Sequence, residues 1–105
     1  MHHFSVVDVG TNALMIQFIM TQDKKIYKDL DAVFKQLGAL TISSGTNPYN
    51  GTSGSWMRLG EDNFSFDADY MGALSIYAQG NNETIAKIEN ALIESNLFQK
   101  VPIEI

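Results

Sequence analysis

The chain has 105 residues, enough for one domain and too few for two. Its 45% hydrophobic content supplies a core without a metal or disulfide staple, and the absence of cysteine excludes disulfides, zinc–thiolate sites and thiol nucleophiles. Twelve acidic against seven basic side chains, a net charge of −5, argue against nucleic acid and anionic membrane as primary partners.

The first elements are β-prone. Residues 4–9 form a short apolar run, Gly10-Thr11-Asn12 reads as a turn, and 14–21 mixes β-branched and aromatic residues with methionine. Residues 1–21 therefore read as an N-terminal hairpin, although a run like 14–21 also permits a helix. The apolar run 13–20 is too short to span a bilayer, and no basic segment leads into a secretory-type core. The expectation is a cytoplasmic protein, of a cell or of an infected cell, with no membrane contact.

Asp23 stands where an N-cap belongs. Ile26, Leu30, Val33, Phe34 and Leu37 then recur at helical spacing, Asp31 and Lys35 pair on the solvent side, and Gly38 stops the helix. Residues 24–37 are thus a helix and 39–43 a strand. Residues 44–55, rich in Ser, Gly, Asn and Thr with Pro48, read as a polar loop, long for a domain this small.

A strand resumes at 56–59. Gly60-Glu-Asp-Asn63 is a turn, and 64–69 alternates Phe64, Phe66 and Ala68 against Ser65, Asp67 and Asp69 as a half-buried strand does. Leu74, Ile76 and Ala78 alternate with Ser75, Tyr77 and Gln79 in a strand over 73–79. Gly80-Asn81-Asn82 breaks it and offers an N-cap. Residues 83–95 form a second helix with Ile85, Ile88, Leu92 and Ile93 as its stripe. Residues 101–105 read as a last strand, placed at an edge by Pro102.

A strand–helix–strand unit thus occurs twice in one domain spanning 1–105. The layout is α+β: a ferredoxin-like or related two-layer sandwich, two helices on one face of a mostly antiparallel sheet, with an N-terminal hairpin. The second sheet face stays open unless a partner covers it.

Few constellations carry chemistry. Val7-Asp-Val-Gly-Thr-Asn-Ala13 resembles the first phosphate-binding turn of the actin/Hsp70-like phosphotransferases, where Gly-Thr-Asn lets backbone N–H groups approach phosphate. Arg58-Leu-Gly-Glu61 resembles a further segment of those enzymes. A chain of 105 residues cannot build their second lobe, so a hairpin turn with Asp8 at the surface is the favoured reading. Glu61, Asp62, Asp67 and Asp69 suggest a cation site, but Met71 and Ala78 occupy positions where a calcium loop needs ligands. A solvated turn and strand face account for them. His2 and His3 are read as an exposed terminus. No other histidine completes a metal site or a Ser–His–Asp arrangement. No catalytic residue, metal ligand or cofactor is expected. Tyr49, Trp56, Tyr70 and Tyr77 beside the 44–55 loop form either an aromatic recognition surface or, for Trp56, core beneath the loop.

From residue 24 onward the order is helix, three strands, helix, strand. Trp56-Met-Arg-Leu-Gly60 ends in a turn, and Gly72-Ala-Leu-Ser-Ile-Tyr-Ala-Gln-Gly80 feeds the second helix. That layout resembles the small tail-terminator and head–tail completion proteins of tailed phages. The resemblance implies a non-enzymatic ring subunit, in virion or host cytoplasm, that assembles as a homo-oligomer through loops and edge strands. It points here to the 44–55 loop, with Tyr49, Trp56, Arg58 and Tyr77 as interface residues. Two alternatives stand beside it. One is a ferredoxin-like metal-dependent nuclease or nucleic-acid-binding protein using Asp8 or Asp23. The other is a small acidic inhibitor, of the immunity or anti-defence kind, that engages a basic partner.

Overall fold

The computed structural model describes residues 2–10, 13–19, 25–47, 51–69, 73–78 and 80–102. Its elements are β1 (His2–Gly10), β2 (Ala13–Phe18), α1 (Lys25–Leu37), β3 (Leu40–Asn47), β4 (Thr52–Leu59), β5 (Asp62–Ala68), β6 (Leu74–Tyr77), α2 (Asn82–Glu94) and β7 (Phe98–Lys100). The strands make one α+β sheet in the order β3-β4-β5-β6-β2-β1-β7. Every neighbouring pair is antiparallel except β1 with β7. Among the described residues no helix is long and apolar enough to cross a membrane.

Helix α1 buries Ile26, Leu30, Val33 and Phe34, the stripe its spacing predicts, with Leu37 packed partly against it. It ends where expected. Gly38 takes φ +80, its N–H donates to the Lys35 carbonyl at 3.1 Å, and the Ala39 N–H donates to the Phe34 carbonyl at 2.9 Å. Those two bonds satisfy carbonyls that the last turn leaves free, and the left-handed backbone they need favours glycine. Asp31 and Lys35 meet at 3.0 Å on the solvent side. Asp23, the expected N-cap, lies outside the described residues.

Helix α2 is capped by Asn81, whose Oδ1 accepts the Thr84 N–H at 3.1 Å. Asn81→Ala should cost about 1 kcal/mol, read as a lower urea midpoint; an unchanged midpoint would show that the cap contributes nothing. Ile85, Ile88 and Leu92 are wholly buried, but Ile93 is 45% exposed and leaves the predicted stripe. At about 100° per residue, Ile93 points well away from the sector that residues 84, 85, 88 and 92 share. Thr84 takes the inward place, fully buried, its hydroxyl without a hydrogen-bond partner. Thr84→Val removes that unsatisfied group at similar shape and should stabilise the fold by about 1 kcal/mol. A urea midpoint lower than wild type would show that the hydroxyl finds a partner in solution.

Cross-strand register sorts the sheet into two faces. Phe4↔Phe18, Ile16↔Ile76, Phe66↔Ile76 and Met57↔Phe64 are opposite pairs, and all face the helices. Phe34 of α1 meets Phe64 and Phe66 with ring centroids 5.7 Å apart in each case. Ile85, Ile88 and Leu92 of α2 join the same core. Both helices therefore cover one face. Each connects parallel strands that are not neighbours. The β2–α1–β3 connection passes over β4, β5 and β6, and β6–α2–β7 passes over β2 and β1.

Three expectations need correction. Most of 44–55 is not a loop. Residues 44–47 and 52–55 are the outer parts of β3 and β4, paired as Ser44↔Ser55, Gly45↔Gly54, Thr46↔Ser53 and Asn47↔Thr52, and 48–50 lie outside the described residues. Backbone groups alone make such a ladder, so small polar side chains hide it from a hydrophobic pattern. The last strand is Phe98–Lys100 rather than 101–105. Phe98 is 2% exposed and packs its ring 5.7 Å from Phe18, which anchors the pairing with β1 three residues early. The Val101 N–H still reaches the Phe4 carbonyl at 2.8 Å, but Pro102 has no N–H to continue the ladder, and 103–105 lie outside the described residues. Finally, His2 is not a loose terminus. It pairs with Phe98 in the sheet, its ring lies tilted against that of Phe98 with centroids 5.0 Å apart, and its Nε2 lies 2.7 Å from Asp29 Oδ2 of α1. The N-terminal hairpin does form, from Phe4↔Phe18 to Gly10↔Ala13. It stands inside the sheet, with β1 between β2 and β7.

Candidate functional site

The sheet face away from the helices holds a cleft of about 1040 Å³ that runs from β2 across to β3. Its floor is set by register. One row reads Ser43, Trp56, Ser65, Tyr77, Met15 from β3 to β2. The next row reads Gly45, Gly54, Asp67, Ser75, Gln17. The alternation that sends Phe64, Phe66 and Ala68 into the core sends Ser65 and Asp67 here.

Three of the four expected interface residues share this face. Trp56 is 58% exposed, which decides between its two readings in favour of surface. Tyr77 is half-buried one strand beyond Ser65, whose hydroxyl donates to the Tyr77 carbonyl at 3.3 Å. Arg58 is exposed two residues beyond Trp56 along β4, opposite Leu40 on one side and Asn63 on the other. Tyr49 and Tyr70 lie outside the described residues.

Sequence reasoning missed the β3 side of this surface. Leu40 is 66% exposed and Ile42 is 52% exposed. Ile42 sits in the register shift between Thr41 and Ser43, opposite no residue of β4. Both lie on the outermost strand, beside Trp56. Sequence alone could have flagged them only if β3 were known to be an edge. The glycine pair was missed as well. An atom placed as Cβ on Gly54 would stand 2.7 Å from Asp67 Oδ1, so the carboxylate lies over the bare backbone of Gly54.

The acidic residues do not gather. Glu61 and Asp62 are at one end of the β4–β5 hairpin, while Asp67 and Asp69 are at the far end of β5. Asp69 Oδ1 accepts the Ala73 N–H at 2.9 Å and shapes its own turn. Among the described residues no group of three His, Asp or Glu side chains could hold a metal ion. Asp8, singled out by the phosphate-turn and nuclease readings, accepts the Gly10 N–H at 3.1 Å on the exposed hairpin end. That bond is a local turn bond. Asp23, the other nuclease candidate, lies outside the described residues.

The site is thus a shallow concave surface with an aromatic pair, hydroxyl groups and two carboxylates, bordered by the β3 edge with its exposed Leu40 and Ile42. Such a surface offers stacking, hydrogen bonding and strand pairing. Comparison with profiles of known protein families, with curated proteins and with solved structures finds no match.

Proposed function

We propose that this protein is a non-enzymatic binding and assembly module that takes an extended protein segment onto β3 and the sheet face beside it. One observation carries the reading. β3 is an eight-residue edge strand without charge or proline, and it exposes Leu40 and Ile42 next to Trp56. Sheet edges of this kind are pairing templates, and proteins that must stay unpaired blunt them. The opposite edge carries breaks that β3 lacks: β7 has three residues with Lys100, Pro102 follows it, and the part of β1 that β7 does not cover carries Asp8 and an irregularity between Asp8 and Gly10. The asymmetry supports β3 as the edge at which a segment adds.

Strand addition gives affinity through backbone bonds and specificity through alternate side chains on the adjacent face. Here that face holds Trp56, Tyr77 and Arg58. In the ring-subunit form, which the resemblance of the element order to tail-terminator proteins suggests, the added segment belongs to a neighbouring copy. In the second form a small acidic protein engages a different, basic protein. The absence of any lysine or arginine among the described cleft residues, against Asp67 and Asp69, favours this second form. Sedimentation of the pure protein at high concentration separates them: discrete oligomers support the ring, and a strict monomer removes it. The module itself is tested by hydrogen exchange. An added extended peptide should slow exchange of the β3 amides, and unchanged β3 exchange under saturating peptide would sink the proposal.

A further inference from the structure

The cleft and the edge are connected, and the connection selects a partner. Gly45 on β3 and Gly54 on β4 are directly opposite each other, and Gly54 is directly opposite Asp67 on β5. All three face the cleft. Among the described residues, no side chain of this row therefore stands between the β3 edge and the Asp67 carboxylate. A Cβ at Gly45 would meet nothing within 4 Å, and one at Gly54 would meet only Asp67. Among the described residues Asp67 forms no ion pair and accepts no hydrogen bond from a side chain or loop.

The distances match one class of side chain. A strand added to β3 lies one spacing beyond it and two spacings from β4, about 9.6 Å. The Asp67 oxygen already reaches back over Gly54, 2.7 Å from the Cβ position. An extended arginine or lysine covers about 7 Å from its Cα, and a charge-assisted hydrogen bond adds about 2.8 Å. Shorter residues fall short of the carboxylate, and acidic ones are repelled by it. Trp56, two residues along β4 from Gly54, flanks the same path, and an indole attracts a nearby cation.

We infer that the segment bound at β3 is a basic strand of another protein, with an arginine or lysine opposite Gly45 that lies across the two glycines and pairs with Asp67. The inference rests on the strand-addition reading above. Among the described residues a second copy of this chain supplies no such strand. Among the described strands its basic residues are Arg58, on the internal strand β4, and Lys100, whose Nζ is held 2.6 Å from Glu89 on the helix side. The net charge of −5 steers a basic partner toward the surface from a distance.

The test uses capped ten-residue peptides of alternating threonine and valine, with one cleft-side residue changed to arginine, glutamine or glutamate. Alternation lets a peptide slide by two residues until that side chain meets Gly45. The chain has a single tryptophan, so Trp56 emission reports binding directly. The arginine peptide should bind about ten-fold tighter than the glutamine peptide, and the glutamate peptide weakest. Asp67→Asn should erase the ranking, so that the arginine, glutamine and glutamate peptides bind that variant alike. Gly45→Leu, at a position with open space, should weaken the arginine peptide most. Equal affinity for all three peptides, or a ranking that survives Asp67→Asn, would overturn the basic partner and leave strand addition standing. No binding by any peptide would overturn both, and oligomers that compete with the peptides would give the slot to a second copy.

Discussion

Phe64→Ala should lower the free energy of unfolding by about 3–5 kcal/mol, a large part of the roughly 5–15 kcal/mol that holds a domain this size folded. Phe64 has no exposed surface and stands on β5 directly opposite Met57 of β4. Its ring centroid is 5.7 Å from that of Phe34, so it joins α1 to the sheet. Removing it takes away the transfer free energy of a phenyl ring and leaves a cavity. The strand backbone beneath it is pinned by β4 and β6 and cannot collapse to fill the space. The urea midpoint should fall by about 2 M. Phe66, two residues along the strand and only partly buried against the same ring, is the control: its truncation should cost clearly less. Equal losses at the two positions would mean that the core is not centred where the structure places it.

Trp56→Ala should do the opposite: leave stability within about 0.5 kcal/mol and remove binding. With 58% of its surface exposed, Trp56 contributes little to the core. It stands between the exposed edge residues Leu40 and Ile42 and the cleft, where a docked strand would cover it. Large aromatic side chains at the centre of a contact carry 2 kcal/mol or more of binding free energy, so the affinity for an alternating peptide should drop about 30-fold. Calorimetry reads this without the tryptophan signal. A peptide N-methylated at alternate amides, which keeps its side chains but cannot pair, should not bind either protein. Binding that survives in Trp56→Ala would move the docking surface away from this face.

The pairing of these two results reflects one sequence pattern used twice. In β5 and β6 the odd and even positions separate cleanly, and both faces were legible from spacing: Phe64, Phe66 and Ile76 inward, Ser65, Asp67 and Tyr77 outward. In α1 the stripe and its Gly38 stop were legible too, because a helix repeats often enough to reveal its face. The chain became illegible where backbone rather than side chains makes the structure. The 44–47 and 52–55 segments pair through peptide groups with serine, threonine and glycine on both faces, and no periodicity marks them. β7 was misplaced because three residues are too few for a pattern, and the anchor is the distant Phe18 and His2.

The candidate site divides in the same way. Trp56, Arg58 and Tyr77 could be named from the chain because aromatic and charged residues stand out at outward positions of a strand. Leu40, Ile42, Gly45 and Gly54 could not. An exposed leucine is ordinary, and a glycine in a polar run looks like a turn. What makes them a surface is that β3 ends the sheet and that Gly45, Gly54 and Asp67 fall in one row. Local composition and spacing thus determined by themselves the α+β class, the two helices and the inward faces of the central strands, because burial imposes a period on nearby residues. Strand order, register and the choice of open edge depend on which distant segments pair. Only the tertiary structure decided those, because pairing free energy is shared between residues that are far apart in the chain.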